Sequence, residues 1–273
     1  MNASKKILIL GGGLAGMSFA VALANHTSNI HIRLIEKNAY HLGAPEPLDT
    51  RATALNLHSI KLLNGWGVWS KLDNVVSPIK DIHVSHQANF GSSVITANDV
   101  EESALGYVVE NHLLGGALYE RATQLGVEIH APCLCESLVI QAHHPAVIDS
   151  AGEIIEADLV LLAGGIDRKW FDVLGIGINT RPSDTTAFAF NALFRGRQRQ
   201  RAFERFTDHG PLAVLPLPST SSADQRFNII WSVADVDRDD LSNASDDVFL
   251  ERFQKAFGWR LGRVLAIGKR SNW

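Results

Sequence analysis

The sequence predicts an α/β fold that combines a parallel sheet with a separate antiparallel sheet, and two patterns predict it. Near the start, the wholly apolar residues 7–10 run into glycines and a helix, as in a parallel sheet buried on both faces. From Thr185 onward, apolar and polar residues alternate along successive strand candidates, which is typical of antiparallel sheets. With 273 residues, the chain can form one large domain or two smaller ones.

The segment from Lys5 to Glu36 predicts a strand, a glycine-rich turn, a helix and a second strand. The turn fits the pattern G-x-G-x-x-G at Gly11, Gly13 and Gly16. The first glycine permits a tight turn, the second lets a pyrophosphate approach the backbone, and the third lets the helix pack closely on the strand. The free amides at the start of the helix would then face the phosphates.

Glu36 ends the second strand, residues 30–35, and lies twenty residues after Gly16. A carboxylate at this place can accept hydrogen bonds from both hydroxyls of an adenosine ribose. An acid here argues against the ribose 2'-phosphate of NADP. The whole pattern predicts a dinucleotide site without separating NAD from FAD, and a mere tight turn is the alternative.

Composition excludes several other classes of function. A net charge of -4 gives no electrostatic case for a nucleic-acid partner. Cys133 and Cys135 are too few and too close for a disulfide framework, so we expect buried thiols in a reducing, cytoplasmic setting. The eleven histidines lack metal-binding spacing. The apolar stretch 7–24 is better explained by the strand, turn and helix than by a membrane span, which predicts a soluble protein.

A second helix is predicted to start near Asp49, as its N-cap, and to run to about Leu72. Arg51 would lie in the first turn of this helix, where the helix dipole disfavours a cation. A cation in that place suggests an anionic partner such as a cofactor phosphate, and a solvated arginine is the alternative.

Residues 79–84 and 90–96 predict an antiparallel hairpin inserted into the parallel scheme. Further elements expected in the first half are one helix and three short strands, at 111–125, 127–129, 138–140 and 159–162. The last of these strands ends in Ala163-Gly164-Gly165, which suits either close approach to a ligand or a plain turn.

The second half of the chain predicts a separate antiparallel sheet. One strand places four apolar side chains on one face, namely Phe188, Phe190, Ala192 and Phe194. Residues 212–217 and 227–233 predict two more strands. After the strand that carries residues 188–194, arginines alternate with glycine or glutamine, at Arg195, Arg197, Arg199 and Arg201. If extended, they would form a basic edge for lipid headgroups or a protein partner, although a solvated edge is the better explanation.

These features together resemble the FAD-dependent aromatic hydroxylases of ubiquinone biosynthesis, the 2-octaprenyl-6-methoxyphenol hydroxylase family. The resemblance covers nearly the whole chain, and its later strings are more specific than the glycine motif. Those strings are Leu105-Gly106-Tyr107-Val108-Val109-Glu110, Arg201-Ala202-Phe203-Glu204-Arg205-Phe206-Thr207, Gly210-Pro211-Leu212-Ala213 and Phe257-Gly258-Trp259-Arg260-Leu261-Gly262.

The resemblance implies the fold of class A flavin monooxygenases, a Rossmann-like FAD-binding domain with an inserted antiparallel-sheet substrate domain. The implied FAD domain comprises 1–76 and 99–180, the substrate domain 77–98 and 181–250, and residues 251–273 return toward the FAD domain. The implied FAD contacts are Gly11, Gly13 and Gly16 at the pyrophosphate, Glu36 at the ribose, Arg51 near the phosphate or ribitol, and Gly165.

The implied activity is reduction of FAD by NADPH or NADH, followed by transfer of one oxygen atom from O2 to a prenylated phenol. The catalytic residues of the chain stay unknown, because the chemistry is expected to belong mainly to the bound flavin. The lipid-tailed phenol suggests a protein that is peripheral at the inner face of the cell membrane or that meets other ubiquinone-pathway proteins.

Two departures from the family keep an alternative open. The family usually has Ala-Asp-Gly where this chain has Ala163-Gly164-Gly165. The family also continues beyond the position of Trp273 with a Gly-Asp segment, so we expect the chain to be C-terminally incomplete. The alternative is a catalytically inactive remnant or a partner-binding module that keeps the nucleotide fold, and an NAD-dependent oxidoreductase is a third possibility.

Overall fold

The computed structural model describes residues 4–40, 48, 51–140, 145–164, 168–196, 200–218 and 224–272. Its strands are β1 Lys5–Leu10, β2 Ile30–Ile35, β3 Ala52–Asn56, β4 Ser77–Ile79, β5 Asp81–His86, β6 Ser92–Thr96, β7 Gly106–Glu110, β8 Glu128–His130, β9 Cys135–Ile140, β10 Pro145–Asp149, β11 Ile154–Glu156, β12 Leu159–Leu162, β13 Thr185–Arg195, β14 Arg201–Thr207, β15 Gly210–Pro216, β16 Asp224–Ala234, β17 Val264–Ile267 and β18 Ser271–Asn272. Its α-helices are α1 Leu14–His26, α2 Leu57–Gly65, α3 Asn111–Gln124, α4 Arg168–Leu174, α5 Arg238–Asn243 and α6 Asp246–Phe257.

The chain divides into two compact units. The first, here called the nucleotide-fold unit, comprises Met1–Gly43, Leu63–Lys71 and Leu114–Thr180. The second, here called the antiparallel unit, comprises Ala44–Leu62, Leu72–Leu113 and Arg181–Trp273. The antiparallel unit contains 44–62, 72–76, 99–113 and 251–273 in addition to the residues expected for the substrate domain, whose boundaries stay a prediction.

The nucleotide-fold unit is built on a four-stranded parallel sheet in the order β12-β1-β2-β8. Strand β1 lies inside this sheet, and its Leu8 and Ile9 are almost fully buried. This explains why the strand is apolar on both faces, and it confirms the parallel sheet predicted from the sequence. A three-stranded antiparallel sheet, β11-β10-β9, contributes Val147 and Ile155 to a core shared with Leu8.

The antiparallel unit is built on an eight-stranded sheet in the order β17-β13-β16-β15-β14-β5-β6, with β18 paired to β13. The predicted hairpin is confirmed as β5 and β6, and its turn contains Ala88 and Gly91 at positive φ. Strand β5 runs parallel to β14, so the hairpin and the later strands form one sheet, as expected. A smaller sheet, β3-β7-β4, belongs to the same unit.

One face of the large sheet is covered by helix α6 through a cluster of aromatic rings. Phe190 of β13 meets Phe249 and Phe253 edge to face, at centroid distances of 5.0 and 5.3 Å. Ser245 caps the helix by accepting a hydrogen bond from the Val248 amide. The single apolar face predicted for 188–194 is confirmed, and residues 251–257 belong to a helix that packs on this sheet.

The predicted helix near Arg51 is wrong over its first turns. Residues 52–56 form strand β3, which pairs with β7, and helix α2 begins only at Leu57. Pairing with a distant strand outweighs the local helical pattern here, and Thr53 suits a strand well. Asp49 lies outside the described residues, and Arg51 precedes a strand, so the argument from a helix dipole no longer applies.

The basic edge that the four arginines would form if extended is not tested, because two of them lie outside the described residues. Arg195 ends β13 and Arg201 begins β14, whereas 197 and 199 lie outside the described residues. Arg201 donates to the carboxylate of Asp81, so that cation is neutralised within the sheet. Among the residues the structure describes, no helix is long and apolar enough to cross a membrane.

The two cysteines are unpaired thiols, as predicted, and Cys135 is buried. Burial raises the pKa of the Cys135 thiol to about 11, whereas an unfolded cysteine titrates near about 8.5. Because the folded pKa is higher than the unfolded one, the protonated Cys135 thiol contributes to the stability of the fold. This contribution is fully present below about pH 8.5 and is lost as the pH rises through about 11.

We therefore expect Cys135 to resist alkylation in the folded protein at pH 9, where about one side chain in a hundred is a thiolate. The measurement is iodoacetamide labelling of a Cys133→Ser variant, followed by mass spectrometry, in buffer and in denaturant. Labelling should be at least about fifty times slower in buffer. Equal rates in the two conditions would contradict the burial of this thiol.

Candidate functional site

The glycine turn after β1 is held by contacts between backbone atoms. Gly11 has φ +113°, and its amide donates to the Ile35 carbonyl at 2.8 Å. A Cβ on Gly11 would lie 2.3 Å from the Gly164 nitrogen, and one on Gly16 would lie 2.0 Å from the Gly11 oxygen. Both positions therefore require glycine, because strand, turn and helix pack backbone against backbone.

Gly13 differs from these two glycines because it faces open space. It is exposed, and a Cβ built on it meets no atom within 4 Å. It is the N-cap of α1, and no side chain caps the helix there. The Gly13 amide and the first amides of α1 therefore have no partner within the helix and point to the place where a pyrophosphate would bind.

Glu36 lies beside the same turn, as the sequence predicts. Its Oε2 accepts a hydrogen bond from the Gly12 amide at 2.7 Å, and its Oε1 accepts one from the Asn38 amide at 2.8 Å. Each carboxylate oxygen can accept a further hydrogen bond. The side chain can thus hold the turn and still accept ribose hydroxyls.

Tyr40 is a residue of this site that the sequence did not reveal. Its hydroxyl donates to the Gly12 carbonyl, and its ring lies 4.3 Å from that of Tyr119. A Cβ on Gly12 would lie 3.0 Å from this hydroxyl and 2.9 Å from the Glu36 Cβ. Burial, helped by the charge of Glu36, raises the pKa of Tyr40 well above its usual range, so the hydroxyl keeps its proton.

Two further predicted cofactor residues, Arg51 and Gly165, stay predictions. Arg51 belongs to the antiparallel unit, where it is exposed and its carbonyl accepts the Asn111 amide at 2.8 Å. Gly165 lies outside the described residues, as does Asp167. Gly164 is described, and a Cβ there would keep 3.5 Å from the nearest atom. Packing at the Cβ position therefore does not exclude a side chain where the family usually has Asp.

The residues present fit the pyrophosphate and ribose portion of a dinucleotide. Unpartnered amides at Gly13 and α1 suit an anion, Glu36 suits hydroxyl donors, and no side chain at Gly13 blocks the approach. Over the described ranges, no group of three or more His, Cys, Asp or Glu residues could hold a metal ion.

The antiparallel unit carries one further candidate, Glu204 of β14. Strand register places Val84 and Ala213 beside it on the face of the sheet opposite to α6. Glu204 is half-buried, and no hydrogen bond or ion pair to it is found in the described part of the chain. Burial raises the pKa of its carboxyl. Perturbed carboxyl pKa values cluster at functional sites, which makes Glu204 a candidate.

The exposed Gly13 and the closely packed Gly16 lead to two contrasting predictions. Gly13→Ala should lower the free energy of unfolding of the apoprotein by about 1 kcal/mol at most, because φ is -68° and no atom is near. It should weaken FAD binding at least about tenfold, since the methyl group lies where the phosphates approach.

Gly16→Ala should instead cost about 3 kcal/mol or more of stability, because its Cβ meets a carbonyl oxygen. Chemical denaturation and fluorescence titration with FAD measure the two effects. Unchanged FAD affinity in Gly13→Ala would show that the pyrophosphate does not bind at this turn.

Comparison with known proteins extends the resemblance noted in the sequence. A family model described as an FAD binding domain matches residues 4–273. Ubiquinone hydroxylase UbiL of Rhodospirillum rubrum is 30% identical over 271 residues, which cover 97% of this chain and 60% of that protein. The 3-demethoxyubiquinol 3-hydroxylase of Escherichia coli is 26% identical over 273 residues, covering 97% of this chain and 67% of its own. The chain thus spans about two thirds or less of these relatives.

Solved structures share the fold at lower identity. PqsL of P. aeruginosa, in complex with 2-aminobenzoylacetate, has a TM-score of 0.73 at 16% identity, covering 92% of this chain and 67% of that chain. The tetrameric form of 2-methyl-3-hydroxypyridine-5-carboxylic acid oxygenase has a TM-score of 0.65 at 19% identity. The match covers 93% of this chain and 64% of that chain. These structures confirm the predicted fold class, and the match to the family model shows that this chain belongs to the FAD-binding-domain family.

Proposed function

We propose that this protein is, or is part of, an FAD-dependent monooxygenase that uses NAD(P)H and O2 to hydroxylate a prenylated phenol in ubiquinone biosynthesis. The observation that carries the proposal is the similarity to ubiquinone hydroxylases, which extends along both units of the chain. The glycine turn supports the cofactor, because its exposed amides and Glu36 suit FAD.

The residues of the nucleotide-fold unit would bind and orient the cofactor. The Gly13 amide and the start of α1 would hold the pyrophosphate, and Glu36 would accept the ribose hydroxyls. We keep Arg51 and Gly165 as proposed contacts of the phosphate, ribitol or flavin. When bound, the flavin would take reducing equivalents from NADPH or NADH and activate O2 for transfer of one oxygen atom to the ring.

We propose that Glu204 contacts the phenol. A carboxylate is a strong acceptor for a phenolic O–H, and the neighbours of Glu204 on the adjacent strands, Val84 and Ala213, are apolar, as suits contact with a ring. The prenyl tail makes association with the inner face of the cell membrane, or with ubiquinone-pathway proteins, the proposed setting for the reaction.

The proposal predicts that the purified chain, incubated with FAD and desalted, retains a flavin absorption spectrum. NADPH or NADH oxidation should then rise at least about threefold when a short-chain prenylated phenol is added, because aromatic hydroxylation consumes the reductant. Mass spectrometry of the product should show one added oxygen atom derived from ¹⁸O2. If the chain retains flavin but NAD(P)H oxidation does not respond to phenols, the proposed reaction would be contradicted and the assignment of FAD as cofactor would stand.

Glu204→Gln should raise the apparent KM for the phenol about tenfold and leave FAD affinity unchanged, because a charged acceptor is replaced by a neutral one of the same shape. Glu251→Gln, an exposed carboxylate on α6, is the matched control and should have no effect on either value. The measurement is steady-state kinetics across a range of phenol concentrations. An unchanged KM in Glu204→Gln would exclude contact between this carboxylate and the phenol.

A further inference from the structure

The peptide group between Gly12 and Gly13 has its two polar ends in different surroundings. Its carbonyl oxygen, on Gly12, accepts the Tyr40 hydroxyl. Its N–H, on Gly13, is on the opposite side of the same planar group, because the peptide bond is trans. No acceptor for this N–H is found among the described residues. Fixing the carbonyl therefore fixes the direction of a free donor.

The preceding peptide group is held in a similar way. Its N–H, on Gly12, donates to Glu36, and the next amide back, on Gly11, donates to Ile35. The turn thus has two amides that are satisfied inside the protein, followed by one that is directed outward. Glycine has no side chain to restrict its backbone, so these peptide orientations depend on hydrogen bonds.

We propose that Tyr40 is a positioning residue for the cofactor, which acts through the Gly12–Gly13 peptide and holds the Gly13 N–H toward the pyrophosphate of FAD. The inference rests on FAD binding by this family and not on the hydroxylation reaction. A hydrogen bond to the carbonyl also polarises the peptide, which strengthens the N–H as a donor to phosphate.

The surroundings of Tyr40 suit this role. Its ring packs against Tyr119 of α3, so the hydroxyl is carried on a side chain fixed by a second element of the same unit. Its hydroxyl remains protonated because burial and the charge of Glu36 both oppose ionisation. Glu36 and Tyr40 therefore act on neighbouring peptide groups of one turn.

The test compares Tyr40→Phe with Tyr119→Phe. Each variant removes one hydroxyl and keeps both rings, and the Tyr119 hydroxyl has no hydrogen bond within the described residues. Tyr40→Phe should raise the dissociation constant for FAD about five- to tenfold, as expected for loss of one oriented hydrogen bond. Tyr119→Phe should stay within about twofold of the unchanged protein.

A second readout separates positioning from packing and needs no cofactor. In ¹⁵N-labelled apoprotein, the Gly13 amide proton should move upfield in Tyr40→Phe and not in Tyr119→Phe, since the polarising hydrogen bond is lost only in the former. An unchanged Gly13 resonance, or equal loss of FAD affinity in both variants, would overturn the proposal. If FAD binds normally but phenol is not turned over, the proposed function would be contradicted and the role of Tyr40 would not be affected.

Discussion

The nucleotide-fold unit depends on one contact between backbones, where strand β1, the glycine turn and helix α1 meet. The Gly11 carbonyl lies where a Cβ of Gly16 would be, and Gly164 at the end of β12 lies where a Cβ of Gly11 would be. Side chains at these positions would push the helix away from the sheet. Because the helix is close, its first amides reach the edge where β1 and β12 end, and this edge is the usual ligand-binding edge of a parallel sheet.

The sequence alone predicts this region well because its constraints are local. The apolar strand, the three glycines and Glu36 follow one another within about one βαβ unit, so spacing along the chain determines spacing in the fold. Tyr40 lies only four residues after Glu36, yet no pattern distinguishes it. Its role depends on how the chain turns back over Gly12 and on Tyr119 from a distant helix. Contacts of that kind have no signature in a single sequence.

The errors have the same physical origin. Residues 52–56 are apolar and polar in a pattern that suits a helix, but β7 offers them a ladder of hydrogen bonds from residues about fifty positions away. The packing partner of helix α6 was likewise not predicted. The rings that cover it come from β13 and β16, and only the tertiary structure shows that they face this helix. Local pattern predicts what a segment prefers, and packing decides which partner it meets.

The large sheet of the antiparallel unit has two chemically different faces, and the difference follows from its strands. On one face, Phe190 and Phe253 belong to an aromatic core that fills the space beneath α6. On the other, register aligns Glu204 with small or aliphatic residues such as Ala213. That face also carries a small apolar cluster, which includes the buried Ala202, so burial there makes the charged form of Glu204 less favourable. Retaining such a group costs stability, and binding a hydrogen-bond donor would offset that cost.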